Sequence, residues 1–498
     1  MLDAGMRAPE SLVPAEPAAQ VERPFRSELA AMFNRYLLAA AIALSSAMVY
    51  SQEPVKTPDN LRAMIQKTQS FGLGRYPISF WNYTNLAEHG THMDEAAVAE
   101  WADAGFTVPQ SPEFDPADAE QRAHIVKLLD WAQKRGMKLI VCDRRGYAKG
   151  DGAGVAPGYA DGVRAAVKDF GSHPALFGFH VGDEPDKALK AAFFESYRIQ
   201  KEVAPGLHPF ANLLPYWPGA ERAVGVRSWA EYLDDYVKQS HADLLSYDCY
   251  AQMNPGTEGQ QMYYRNLRLY REAAVRNGVP FWNTILSVGH FRYRVPSLDD
   301  IRWQFNTTLA SGAHGILWFF YYMREPHENY RGAPVDEHWH HNPTWDYLRL
   351  VQTSFHRHYG DLFARLASTR VSFYPEAFGE GQVFTPDGIV ARILPDKANH
   401  PLLIGEFADL AGQRYVMIVN NSVSDVVNVG VTFPGNDVKV YSWNWSGQEM
   451  EGKAYSATSE NPKRDEHGLT IRHWLAPGQE AVYRVVSAAA AKEPISGR

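Results

Sequence analysis

The chain has 498 residues, 45% hydrophobic and 21% charged, an ordinary globular composition with room for a large core and a further domain. Its net charge is −8 and no basic block stands out, which excludes a phosphate-backbone binder, so no nucleic-acid partner is expected. Two cysteines, Cys142 and Cys249, exclude a disulfide scaffold or a cysteine metal centre, and each reads as a small buried residue inside a strand-like run.

In chain order, residues 1–51 read as a disordered leader plus a signal peptide. Met32 to Arg35 supply a short positive region, an apolar stretch follows, and Val49, Tyr50 and Ser51 precede a cleavage point at Gln52. The apolar stretch is shorter than the roughly 20 residues of a membrane helix. The expectation is a secreted or periplasmic protein with no membrane span once the signal (about Met32 to Ser51) is removed.

Residues 52–364 alternate between apolar strand-like runs and amphipathic helical stretches. The runs are Ile78–Asn82, Phe106–Gln110, Lys138–Asp143, Leu176–Gly182, Pro209–Leu214, Asp243–Asp248, Pro280–Leu286 and Gly315–Phe320. Between them lie helical segments such as Glu95–Ala104, Gln121–Arg135 and Leu298–Ala310, several ending at a glycine just before the next strand. Eight such units predict an α/β fold, a (β/α)8 TIM barrel, rather than an open sheet that starts with a glycine-rich phosphate loop. Residues 365–487 switch to short alternating strands separated by Gly, Pro, Asn and Asp, as in Leu402–Phe407, Tyr415–Asn420 and Val426–Phe433. They predict a C-terminal antiparallel β-sandwich, and residues 488–498 a disordered tail.

In such a barrel the reactive groups sit where strands end. Strand four ends His180-Val-Gly-Asp-Glu-Pro185, and alternation places His180, Gly182 and Glu184 on one side. Adjacent acids repel, which keeps one protonated and suits a general acid; a helix-start cap is the alternative use of the pair. Asp248, ending strand six, alternates with Ser246 and Leu244 and is expected to face inward, with Tyr247 and Tyr250 beside it. Asp143 precedes Arg144 and Arg145 and reads as an ion-pair partner. Trp81, Asn82, Asn212, Trp217, Asn283 and His290 lie at or near strand ends, and as a set they favour a carbohydrate cleft, in keeping with an aromatic content of 13%. Glu113 is a further candidate for substrate contact. Asp336-Glu-His-Trp-His-His341 has ligand-type side chains, but its spacing matches no known metal site and it reads as a polar rim loop. Nothing in the sequence calls for a cofactor.

Gly-Asp-Glu-Pro at the end of a fourth barrel strand resembles the Asn-Glu-Pro of retaining glycoside hydrolases of clan A. The resemblance implies Glu184 as acid/base, Asp183 in the place of the Asn beside the substrate, and Trp318 as the sugar-stacking tryptophan. The sequence departs from the clan at strand seven, where Thr284 to His290 contain no carboxylate for a nucleophile. Asp248 is the first substitute, and Glu325, just past strand eight, the second. The same segment is also similar to the His-x-Gly-Gly-Asp-Glu motif of family 20 hexosaminidases, one glycine short. That resemblance implies substrate assistance, with the acetamido group as nucleophile, Asp183 orienting it and Glu184 as acid. The third alternative is a non-catalytic glycan-binding barrel. The expected partner is a carbohydrate substrate, and the sequence leaves the oligomeric state open.

Overall fold

The computed structural model describes residues 57–254, 257–324, 329–452 and 462–486. The predicted leader, signal peptide, C-terminal tail and Glu325 lie outside the described residues.

Helix α1 (Asp59–Ser70) precedes seven parallel strands. These are β1 (Ile78–Phe80), β2 (Leu139–Val141), β3 (Leu176–Asp183), β4 (Phe210–Asn212), β5 (Leu245–Asp248), β6 (Phe281–Leu286) and β7 (Gly315–Phe319). They form a four-stranded sheet, β1-β7-β6-β5, and a three-stranded sheet, β2-β3-β4. The run Phe106–Gln110 is not a regular strand: Pro109 has no N–H to give to a ladder. It still bridges the two sheets, because the Thr107 amide donates to Ile78 O (2.9 Å) and the Ile140 amide to Pro109 O (3.0 Å). At the other end the Leu213 amide donates to Ser246 O (2.8 Å).

Between the strands run α2 (Glu95–Asp103), α3 (Ala119–Lys134), α4 (Tyr159–Phe170), α5 (Lys190–Val203), α6 (Trp229–Ser240), α7 (Thr257–Asn277), α8 (Leu298–Ala310) and α9 (Pro343–Tyr359). Local chemistry starts several of them. Asp94, Asp118 and Ser228 accept first-turn amides, and Ser297 with Asp300 closes a capping box. Alternation then divides the strand residues. Val108, Ile140, Phe177, Phe210, Leu244, Trp282 and Leu317 meet in one apolar cluster on the inner side. Residues of opposite parity, such as Phe80, Leu245 and Trp318, join the helices in a second cluster.

The C-terminal strands are β8 (Ala367–Tyr374), β9 (Gln382–Val383), β10 (Arg392–Pro395), β11 (Leu402–Ala408), β12 (Arg414–Asn420), β13 (Val427–Phe433), β14 (Lys439–Trp443), β15 (Glu449–Glu451), β16 (Lys463–Asp465), β17 (Gly468–Leu475) and β18 (Glu480–Val486). They form a seven-stranded sheet, β9-β8-β11-β12-β18-β14-β15, and a four-stranded sheet, β10-β13-β17-β16. All pairings are antiparallel except β8 with β9. Inner-face residues of both, including Ile404, Ile418, Val429, Val431 and Ile471, share one core.

The other face of the large sheet packs on the helices. Phe373 meets Tyr264 at 4.9 Å and Phe407 meets Phe363 at 5.7 Å. Asn421 ties this junction polar-to-polar, its Oδ1 accepting from Trp303 Nε1 (2.8 Å) and from the Tyr264 hydroxyl. Both donors are buried. Replacing Asn421 by Ala takes the acceptor from Trp303 Nε1 and one of two partners from the Tyr264 hydroxyl, which costs about 1–3 kcal/mol. The expected outcome is a lower urea midpoint for Asn421→Ala, measured by tryptophan fluorescence, with an unchanged far-UV spectrum before unfolding.

Candidate active site

Three carboxyl groups meet at the C-terminal ends of β3 and β5. Strict alternation would send the neighbours Asp183 and Glu184 to opposite sides. A register irregularity between His180 and Gly182 breaks it, and Gly182 sits at φ +150°, where a Cβ would lie 3.1 Å from the Phe193 ring. Glu184 then adopts φ +43°, held by its amide donating to Asn212 O (3.0 Å). A left-handed non-glycine residue costs about 1–2 kcal/mol. The result is that both acids reach the same cleft.

Asn212, buried at the end of β4, organises the group. Its Nδ2 donates to Asp183 Oδ1 (3.0 Å) and to Asp248 Oδ1 (2.8 Å), while Ser246 Oγ lies 3.5 Å from its Oδ1. Asp248 is also hydrogen-bonded to Glu184. The partner that joins them is a neutral amide, and among the described residues no cation pairs with any of the three. Glu184 is exposed at the mouth of the cleft, and partial desolvation followed by the Asp183 charge pushes it up to about 7. Burial followed by the charges of Glu184 and Asp183 lifts Asp248 well above the usual carboxylate range, and burial raises Asp183. All three carboxyl groups therefore hold their protons to higher pH than free acids do, and Glu184 and Asp248 titrate as a coupled pair.

The surrounding wall is aromatic. Tyr83, Tyr250 and Tyr293 all feel the carboxylate charges, and burial keeps their phenols protonated. Phe319 stacks on Tyr250 at 5.1 Å, and His290 lies 5.0 Å from Tyr293 and 5.3 Å from Phe319. Arg324 covers Tyr83 at 4.3 Å. His180, stacked on Phe210 and edge-on to Trp81, is pushed down to about 4 by burial. His290 also falls to about 4, by burial and then Arg331. Both imidazoles are neutral at pH 7, and the Nδ1 of each is buried without a partner.

Several sequence candidates stand elsewhere. Trp318 points outward, fully buried, with Nε1 on Gln352 Oε1 (3.1 Å) of α9; Phe319, of inward parity, takes the wall position. Tyr247 also points outward and stacks on Tyr270 of α7 at 3.8 Å. Asn283 does the same, donating to Thr308 Oγ1 (3.0 Å) of α8. Each alternates away from the cleft because its neighbours Leu317, Ser246 and Trp282 occupy the inner side. Asn82 spends its amide on Gln110 O and Thr84, which fixes the loop after β1. Glu113 is ion-paired with Arg144 (3.1 Å) and accepts the Tyr147 hydroxyl (2.9 Å). Asp143 is paired with Arg145 (2.7 Å), as its sequence context suggested. Asp336 accepts the amides of His338 and His340, and His341 pairs with Glu100. Among the described residues no three ligand-type side chains come together to hold a metal. Both cysteines are buried and free. Tyr83, Tyr293 and Phe319 were missed by sequence reasoning. The parity that selected Asp248 also selects Tyr250, and Trp81 likewise selects Tyr83, so the signal was present for both.

No protein-family model matches the chain, and no curated protein matches it in sequence. Among solved structures, one described as a glycoside hydrolase has a TM-score of 0.50 at 11% identity, covering 83% of this chain and 93% of that one. A glycoside hydrolase family 5 structure from Bacteroides vulgatus ATCC 8482 also scores 0.50, at 10% identity, covering 85% and 91%. At these identities the likeness is one of fold.

The raised acids have a consequence for stability. In the unfolded chain they ionise in the ordinary carboxylate range, near 4. For Glu184 the folded state binds more protons between there and about 7, so this group withdraws stability as pH rises through that window; Asp183 and Asp248, also raised, act in the same direction. Asp248→Asn removes one of the repelling charges. Its melting temperature should exceed wild type at pH 8, by on the order of 2 °C, and by less at pH 5. Equal shifts at both pH values would contradict the repulsion.

Proposed function

We propose that the chain is a glycoside hydrolase on a closed (β/α)8 barrel, with Glu184 as acid/base. The hydrogen bonds across both seams between the parallel sheets support reading them as one ring. The observation that carries the chemistry is the group of Asp183, Glu184 and Asp248 around Asn212, paired with no cation among the described residues and faced with aromatic rings. In this reading a pyranose ring lies against Tyr83, Tyr250 and Phe319. Glu184 gives its proton to the glycosidic oxygen as the bond to the anomeric carbon breaks, and Asp248 serves as nucleophile or base. The charge developing on the sugar is balanced by the carboxylates, and water supplies the hydroxyl of the new reducing end. Glu184 and Asp248 neighbour each other in the cleft, and their separation with substrate bound, ~5–5.5 Å or ~6.5–9.5 Å, decides between retention and inversion. Export through the N-terminal segment and the division into a barrel (52–364) and a sandwich (365–487) belong to the same reading.

A second reading is supported by one specific feature. The bulge at Gly182 aims Asp183 and Glu184 into the cleft side by side, and β6 contains no acid. That is what a substrate-assisted hydrolase of N-acetyl sugars requires, with Asp183 orienting the acetamido group and no protein nucleophile.

Glu184→Gln should lower reducing-end release from a glycan panel by about 10²–10⁴-fold while the protein remains folded. Proton NMR of the first-formed anomer then distinguishes retention from inversion. Activity confined to N-acetyl sugars would favour substrate assistance, and binding without release would leave only a glycan-binding barrel. Because Glu184 must be protonated to act, activity should fall as pH rises through about 7. Asp183→Asn removes a charge that raises Glu184, so the alkaline limb of kcat/KM should move to lower pH. A limb that stays in place would count against Glu184 as the acid.

A further inference from the structure

A second cavity, of about 140 Å³, lies where α7 and the end of α8 meet β8 and β9 of the large sheet. Arg268, Arg271, Glu272 and Arg370 supply its charged lining, and Tyr264 and Phe373 part of its apolar lining. Two of the arginines are matched. Arg268 binds Glu272 (3.0 Å) and Glu380 (2.9 Å), and Arg370 binds Asp387 (2.5 Å).

Arg271 is different. It is half-buried, and its hydrogen bonds are Nε to Ser368 Oγ (2.9 Å) and one terminal nitrogen to Ser368 O (3.2 Å). Ser368 is itself buried, and Gly312 packs so close that a Cβ there would sit 2.4 Å from the Ser368 Cβ. The guanidinium is therefore held from one side. It has five N–H groups, so about three remain uncommitted. No carboxylate among the described residues makes an ion pair with it. Desolvation of the cation lowers its pKa to about 10, with only the nearby Glu272 opposing.

A guanidinium set in protein without an anion is costly, and the planar fork matches an oxyanion in two-point geometry. At ~30 Å³ per water, the cavity volume has room for about four water-sized groups, enough for one carboxylate, sulfate or phosphate. We propose that this cavity is a binding site for a compact oxyanion, held by Arg271 between the helical layer and the β-sandwich. The site is separate from the carboxylate cluster and does not depend on the hydrolase reading.

The test is calorimetric titration of the full chain at pH 7 and constant ionic strength with sodium acetate, sulfate and phosphate, sodium chloride serving as control. The expected result is saturable one-site binding of at least one oxyanion and none of chloride. Acetate alone would indicate a carboxylate-bearing small molecule, and phosphate or sulfate an inorganic ion. Arg271→Gln should weaken that binding at least tenfold. Two further variants keep the guanidinium and remain informative if Arg271→Gln folds poorly. Glu272→Gln removes the opposing charge and should tighten binding, and Ser368→Ala frees donors and should retain it. If no oxyanion binds, or if Arg271→Gln binds as wild type does, the proposal is wrong. The same holds if Ser368→Ala and Arg271→Gln merely lose stability alike while neither titrates, since Arg271 is then only a tie to β8.

Discussion

The site depends on one electrostatic constraint: three carboxyl groups are gathered about a single neutral amide, with no cation among the described residues paired to them. Asn212 donates to two of the three, and its own backbone carbonyl accepts the Glu184 amide, so one residue sets the position of all the acids. An amide donor orients carboxylates without neutralising them, and each group is left above its ordinary pKa. An arginine in the same place would have stabilised the fold and removed the protons. The scaffold carries the opposite arrangement, with a bulge at Gly182 and a left-handed Glu184, and such strain is typical of a functional cleft.

The wall around the acids keeps the same balance. Phenols raised by burial and imidazoles lowered by burial are all neutral at pH 7, and the cations of that wall, Arg324 over Tyr83 and Arg331 near His290, lie against its rings. The cleft thus presents flat apolar faces and hydroxyls beside a proton-rich acid cluster. A neutral polyhydroxylated ligand fits that chemistry better than a phosphate or a carboxylate, which the acids would repel.

The β-sandwich is not an appended ornament. Its large sheet builds a core with the small sheet on one face and covers the helices on the other, through Phe373, Phe407 and the Asn421 hydrogen bonds. The same junction leaves the cavity in which Arg271 stands, with no carboxylate among the described residues paired to it. Where two apolar layers meet over a long contact, side chains of fixed size do not fill every gap, and a polar gap needs its own partners.

The sequence by itself determined the strand–helix alternation, the change to short strands past residue 365, and the inward parity of Asp248. Those follow from period-two and period-3.6 patterns, which are local. It also located Asp183 and Glu184 at a strand end, and Asp143 beside the arginine that pairs with it. Strands β8 and β17 escaped, as did the interruption at Pro109. Only the tertiary structure decided that Trp318, Tyr247 and Asn283 serve the helical layer, because whether a strand-end residue faces the cleft depends on register. It alone brought Asp183 round beside Glu184, since one bulge reverses the parity of everything after it. The proton-holding character of the cluster was equally out of reach of the sequence. It arises from a hydrogen bond that joins Asn212 to Asp248 across 36 positions and so gathers the Asp183, Glu184 and Asp248 charges, with no cation among the described residues paired to them.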